Sequence, residues 1–449
     1  MNGIIPIVQI DTDITSALST NDLEKIATQD YRQMSAYLIG KIPAQTLLST
    51  EELHTFHTEQ QQAVTAQPVA AKKLVVVLKA TRLCNLRCTY CHSWAEGPNQ
   101  TMQFDILVRT IRKILAIPNI KRFEFVWHGG EVTLLKPLFF QKLLWLQQQF
   151  KQPEQHITNS MQSNAVNISD EWLAFMKGIG MHVGISLDGI PAVHDSRRVD
   201  YRGRGTAQRV AEGLKRLKQH SIPYGALIVV DRHVYQTDLR EMFDYFGKIG
   251  LNDIEFLNIV PDNRIPAGGT VDGNYITYAE FIAFLNRAFM LWWDEYRAVL
   301  HIPQFSDFIR AINNPGTRLA ACYWSENCSQ EVITLEPNGD VSPCDKYVGD
   351  AGSHYGSLMK TDLAELLAYS AHNQAAKREE QEAFDKMRQC RWFSLCHGGC
   401  PHDRVINRRH VAGYQDNCCG TGKLLATIEG CLKKEHRATP TTGDNPPSQ

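Results

Sequence analysis

Cys84-Asn85-Leu86-Arg87-Cys88-Thr89-Tyr90-Cys91 follows closely on an apolar run, Leu74 to Leu78. Three cysteines spaced CX3CX2C on so short a loop cannot close a structural site alone. A tetrahedral zinc or a cubane iron–sulfur cluster takes four ligands. The loop therefore predicts a metal centre with one position left for another molecule. A three-Cys zinc site completed by His92 is the competing reading.

Working outward, apolar strand-like runs alternate with helical patterns from Lys73 to about Asp262. The runs predict strands at Leu74–Leu78, Phe123–Trp127, Ile157–Ser163, His182–Leu187, Tyr224–Val230 and Ile254–Val260. Helical periodicity lies between them at Phe104–Leu115, Leu138–Phe150, Asp170–Gly178, Ala207–His220 and Thr237–Ile249. Six βα repeats imply an α/β fold with a parallel sheet inside helices. A closed barrel wants eight repeats, so six predict an open, partial (β/α)6, TIM-like barrel. Chemistry in such folds sits at the C-terminal ends of strands. The cysteine loop, Gly129-Gly130-Glu131, Ser163-Asn164 and Ser186-Leu187-Asp188-Gly189 all follow strands, so one rim should collect them.

Twelve cysteines in 449 residues fall in two fields, three at 84–91 and nine after residue 321. Such segregation suits metal or cluster ligation better than scattered core thiols or disulfides. The net charge of −1 gives no basic face for nucleic acid and no polybasic run for a membrane surface. No signal-peptide pattern opens the chain, and no apolar stretch is long enough to span a bilayer. A soluble, cytoplasmic protein is expected. Residues 1–70 read as an N-terminal extension with a helix-starting capping box at Ser49-Thr50-Glu51-Glu52. Residues 71–265 read as the barrel and 266–320 as a helical, aromatic connector. Residues 321–435 form the cysteine-rich region and 436–449 a disordered tail.

CX3CX2C with an aromatic before its last cysteine (Tyr90) resembles the signature of radical S-adenosylmethionine (SAM) enzymes. The resemblance implies that Cys84, Cys88 and Cys91 hold a [4Fe–4S] cluster whose open iron binds SAM. Reductive cleavage of SAM then yields a 5′-deoxyadenosyl radical. His128-Gly129-Gly130-Glu131 is similar to the family's GGE motif, with Val132 where proline is usual. It implies backbone close to a ligand at Gly129 and Gly130 and a carboxylate at Glu131 for the methionyl ammonium. Ser163 and Asn164 match the polar end of strand three. Ser186 and Arg198 match a SAM-contacting pair of sulfatase-maturase-like enzymes, with turn and helix-cap chemistry the alternative use of Asp188 and Asp195. Leu257 falls where an apolar contact to adenine is expected.

The C-terminal cysteines resemble the SPASM extension, which carries auxiliary [4Fe–4S] clusters in peptide- and protein-modifying members. By that resemblance Cys322, Cys328, Cys344 and Cys400 hold one auxiliary cluster. Cys390, Cys396 and Cys419 belong to a second. The family's CX2C would begin at position 387, but Met387 stands there. Cys418 is the candidate replacement, and a second cluster with an open iron, or none, is the alternative. Cys431 has no assigned role. Asp345, next to Cys344, matches a proposed proton acceptor, and like-charge repulsion beside an anionic cluster would raise its proton affinity. The N-terminal extension and the ligand missing at Met387 favour oxidative maturation, above all a side-chain crosslink of the cyclophane type, of a ribosomally made precursor peptide. Oxidation of serine or cysteine to formylglycine in a sulfatase is the alternative. A reductant such as flavodoxin or ferredoxin is the expected electron source.

Overall fold

The computed structural model describes residues 31–64, 67–319, 321–324, 328–415 and 417–438. Six parallel strands form in the predicted order: β1 Lys73–Thr81, β2 Arg122–Gly129, β3 His156–Ser163, β4 Val183–Ser186, β5 Tyr224–Val230 and β6 Ile254–Asn258. They lie side by side in sequence order, with helices between successive strands. This is the partial TIM-like barrel expected from six βα repeats.

Alternation along each strand decides what faces the helices. In β1, Leu74, Val76 and Leu78 are fully buried while Val75 and Val77 are only half-buried. The buried set packs under the helices: Trp127 of β2 stacks on Phe140 of the helix Pro137–Phe150, at 4.5 Å between rings. Phe256 of β6 meets Phe284 of the helix Tyr278–Leu291 edge-on. The connector aromatics Phe281, Phe284, Phe289, Phe305 and Phe308 are buried, so they are core. The other face of the strands lines the lumen, where the polar residues lie.

The sheet does not stop at β1. Three short strands from the cysteine-rich region, β7 Val332–Leu335, β8 Asp340–Ser342 and β9 Gly356–Ser357, extend it to nine, in the order β6-β5-β4-β3-β2-β1-β7-β8-β9. β7 runs parallel to β1, with Val75 opposite Val332 and Leu78 opposite Leu335. β8 turns back antiparallel through Glu336–Gly339, where Gly339 adopts φ +84°. The C-terminal region is thus continuous with the barrel.

Residues 31–62 pack on the barrel helices. Ser49 and Glu52 form the expected capping box on the helix Thr50–Gln61. Ile39, Ile42, Leu47 and Phe56 join the same core as the barrel, and Trp145 donates its indole N–H to the Ile42 carbonyl. Buried Glu59 holds Arg109 at 2.7 Å and Arg112 at 3.0 Å. At the other end the helix Gly422–Ala438 runs into the start of the expected disordered tail. Residues 439–449 lie outside the described residues, as do 1–30. Among the described residues no helix is long and apolar enough to cross a membrane.

Candidate cluster and SAM site

The loop carrying Cys84, Cys88 and Cys91 is held against the end of β2. Gly130 N–H donates to the Thr81 carbonyl and Glu131 N–H to the Leu83 carbonyl, both at 2.8 Å. A Cβ on Gly130 would sit 1.9 Å from the Leu83 oxygen, and one on Gly129, at φ +126°, 2.1 Å from that of Thr81. The close backbone approach these glycines permit is therefore to the chain entering the cysteine loop. From the other side, Arg87 and Thr89 donate their N–H groups to the Val199 and Arg197 carbonyls.

None of the three cysteines is in a disulfide. Donors already point at their sulfurs: Leu86 N–H at Cys84 Sγ and Ser93 N–H at Cys91 Sγ, each 3.4 Å, and the Arg198 guanidinium at Cys88 Sγ, 3.9 Å. Burial pushes the Cys84 thiol up to about 12 and the Cys88 thiol to about 11. Free thiols there stay protonated near neutral pH, and a metal centre would displace those protons. Three soft sulfur donors with N–H and guanidinium support suit an anionic iron–sulfur cluster.

Arg198 and Tyr90 are fixed by a residue the sequence left between two uses. Asp188 is fully buried at the end of β4. Its Oδ2 accepts from the Tyr90 hydroxyl at 2.6 Å and Arg198 Nε at 2.7 Å, with Arg197 at 3.5 Å; Oδ1 accepts Val229 N–H at 3.1 Å. Burial alone would raise its proton affinity, but Arg198 and Arg197 outweigh it and hold the carboxyl at about 2. Both guanidiniums lie over the Tyr90 ring, at 4.6 and 5.4 Å. His194, kept neutral at about 4 mainly by burial, accepts the Asp188 N–H at Nδ1. Its Nε2 meets Thr206 Oγ1, whose hydroxyl donates to the Arg198 carbonyl. Asp195 caps the next helix by accepting Ala207 N–H. The signal for Asp188 was present in Ser186-Leu187-Asp188-Gly189 ahead of Arg197-Arg198, but a turn aspartate looks identical in sequence.

Glu131 is buried and bound within the protein. Oε1 accepts from Thr133 N–H and Oγ1 and from the Ser163 hydroxyl, and Oε2 from Asn164 N–H. The Asn164 amide donates in turn to Asn85 Oδ1 in the cysteine loop. Glu131, Ser163 and Asn164 thus tie β2 and β3 to the cluster loop. Ser186 accepts from Gln162 across the lumen face at 2.8 Å. Half-buried Leu257 pairs with Val229 on the neighbouring strand.

Asp345 reaches the barrel lumen from beyond β8. Its carboxylate pairs with the ammonium of Lys79, which is fully buried, and lies 3.3 Å from Ser93 Oγ and 3.8 Å from His128 Nδ1. Burial pushes its proton affinity up, but Lys79 and His128 prevail and hold it well below the usual carboxylate range. Sequence shows the neighbouring cysteine but not the lysine that β1 supplies, whose charge opposes the repulsion expected beside an anionic cluster. His128 Nδ1 is buried with no hydrogen-bond partner. Beside this cluster opens a cavity of about 460 Å³, lined by Arg82, Glu336, Ser342, Cys344, Tyr347 and His354. Arg82 grips Glu336 through two bonds, at 2.7 and 3.1 Å.

The nine C-terminal cysteines sort into two groups and one outlier. Cys322, Cys344 and Cys400 all lie within electrostatic reach of Cys328. Lys346 stands over this group, 3.0 Å from Asp403, 2.9 Å from Asn258 Oδ1 and 3.7 Å from Cys400 Sγ. The second group gathers Cys390, Cys396, Cys418 and Cys419. Cys431 lies apart, 3.8 Å from the Met290 sulfur.

Comparison with known proteins agrees with this geometry. The radical SAM superfamily model matches residues 78–246, and the SPASM iron–sulfur cluster-binding domain model matches 322–401. A serine-type anaerobic sulfatase-maturating enzyme of Bacteroides thetaiotaomicron is 27% identical over 363 residues, covering 76% of this chain and 86% of that one. A cysteine-type enzyme of Clostridium novyi is 27% identical, covering 75% and 90%. Among solved structures, native anSMEcpe with bound AdoMet superimposes with a TM-score of 0.67 at 24% identity, covering 82% of this chain and all of that one. Streptococcus suis SuiB bound to precursor peptide SuiA gives 0.53 at 12% identity, covering 89% and 87%. The chain is an enzyme that carries a radical SAM domain and a SPASM iron–sulfur cluster-binding domain, with anaerobic sulfatase-maturating enzymes among its relatives.

Proposed function

We propose that this enzyme oxidises a serine or cysteine side chain in a peptide or protein substrate; its relatives are named serine-type and cysteine-type anaerobic sulfatase-maturating enzymes. One observation carries the reading. Ser93, two residues past Cys91, touches Asp345, the residue after Cys344, so the two cysteine fields meet across one lumen. Relatives of that name align over about three-quarters of the chain, which supports the same assignment.

Cys84, Cys88 and Cys91 would hold the cluster, and SAM bound there supplies a radical that takes one hydrogen atom from the substrate carbon. What remains is a proton on oxygen or sulfur and one electron. Asp345, ionised beside Lys79, would take the proton, and the Lys79 ammonium holds its carboxylate in the lumen. Cys322, Cys328, Cys344 and Cys400 would hold an electron acceptor one residue away. Serine loses two hydrogens and gains a carbonyl; cysteine loses two hydrogens to a thioaldehyde, which water hydrolyses to the carbonyl with release of hydrogen sulfide. A low-potential flavodoxin or ferredoxin in a reducing cytoplasm is the proposed electron source for each turnover.

Crosslinking of a ribosomally made precursor peptide is the second reading. Met387 favours it, because the sulfatase-maturing type has a complete second CX2C there.

Anaerobic incubation with dithionite, SAM and serine- or cysteine-containing sulfatase peptides tests both. A product lighter by two hydrogens (from serine) that reacts with a hydrazide supports the first. A crosslinked peptide without a carbonyl supports the second. Asp345→Asn is expected to cleave SAM to 5′-deoxyadenosine yet lower product by about a hundredfold or more. Product formation at the wild-type rate would remove Asp345 from the mechanism.

A further inference from the structure

The second cysteine group departs from the family pattern at one position. The helix Ala371–Met387 ends on Met387, and Cys390 follows with its N–H bonded to the Met387 carbonyl at 2.9 Å. Met387 is 2% exposed and belongs to the hydrophobic core. Its sulfur lies beneath the turn that carries Cys396 and Cys400, 3.2 Å from where a Cβ on Gly398 would stand, with Phe393 alongside. Its surroundings are those of a packed side chain. A neutral thioether is also a poor substitute for the thiolates that hold iron–sulfur clusters.

Two thiols meet next to it, and two more lie within electrostatic reach. Cys419 Sγ is 3.4 Å from Cys396 Sγ, and Cys390 and Cys418 both act electrostatically on Cys396. Cys418 adjoins Cys419 in the chain, and its sulfur accepts Gly420 N–H at 3.3 Å. The turn is anchored from both sides. Thr421, fully buried, bonds to the Tyr278 hydroxyl and the Trp324 indole. Gly399, at φ +76°, leaves room for Cys419, since a Cβ there would stand 2.9 Å from that of Cys419.

We propose that Cys418 supplies the fourth thiolate of the second auxiliary cluster. The adjacent pair Cys418–Cys419 then ligates one cluster with Cys390 and Cys396, and Met387 is a packing residue that takes no part. The family's ligand has moved from the end of a helix to the neighbour of another ligand. The inference rests on the cluster-binding character of the domain and is independent of the substrate.

The test is iron and sulfide content with electron paramagnetic resonance of the full-length, anaerobically reconstituted protein. Wild type is expected to hold roughly twelve irons, three cubanes of four. Met387→Leu should match it in iron and spectrum. Cys418→Ala should lose roughly one to four irons, through a three-iron centre or loss of the cluster. Cys418→Ala with Met387→Cys should regain them, because the thiolate returns at the family's position. Cys418 is exposed, so its replacement removes no core packing. Full iron and an unchanged spectrum in Cys418→Ala, or iron loss in Met387→Leu, would overturn the assignment. Wild type holding only roughly eight irons would overturn it as well, by removing the second cluster itself.

Discussion

Asp188 shows how one carboxylate sets a whole site. It fixes Tyr90 and Arg198 beside Cys88 and shares Arg197 with Asp231. Asp188→Asn leaves buried guanidiniums short of their counter-charge, at a cost of about 3 kcal/mol or more. A lower Tm and weaker SAM binding are expected, read by anaerobic thermal unfolding and equilibrium binding. With its folded value near 2, the contribution of Asp188 is complete above the ordinary carboxylate range and is lost only as pH falls through about 2. Glu255 has the opposite sign. Burial, then Asp253 and Asp307, push it up to about 7. The folded chain holds that proton more tightly, so stability falls as pH rises from the ordinary value to about 7. Glu255→Gln should therefore raise unfolding free energy more at pH 8 than at pH 5.5, by at most about 3 kcal/mol at the higher pH. A larger gain at pH 5.5 would refute this.

Among the elements, the six barrel strands are legible in sequence because their β-branched runs are long and bounded by amphipathic helices. The cysteine loop and the convergence of motifs on one rim follow from that order. β7, β8 and β9 are not legible, because strands of four, three and two residues carry no period and the barrel strand that β7 joins lies about 257 positions earlier. Lys79 is missed for the same reason: a lysine in a strand looks like a solvated residue until β7 and β8 deliver Asp345 to it. The Gly-Gly pair is recognised correctly, but its closest neighbour is the chain's own backbone. Gly130→Ala should drive β2 away from the cysteine loop, with loss of most iron at 84–91 and several kcal/mol of stability. Glu59→Gln tests the N-terminal docking. Arg112 would lose its buried partner, and limited proteolysis should release residues 31–62 faster than in wild type, for about 2–4 kcal/mol.

At the scale of the whole molecule, the C-terminal domain completes the barrel's sheet. Cys328 and Cys344 bracket β7 and β8, so cluster ligation and sheet pairing share one short segment. Stripping iron with a chelator should raise amide hydrogen exchange in residues 332–335 and, through their pairing, in 75–78. Residues 157–161 on β3, held between β2 and β4, should stay protected. Equal loosening of both regions would show that the domain does not pin the sheet locally.

The union of β1 with β7 also has a consequence for biosynthesis. During translation β1, the first strand among the described residues, acquires one neighbour within some fifty residues but must wait about two hundred more for the other. Until then the ribosome-bound chain presents a bare, valine-rich border open to mispairing. Chains cut before residue 332 should accordingly aggregate, even though every βα repeat of the barrel is present.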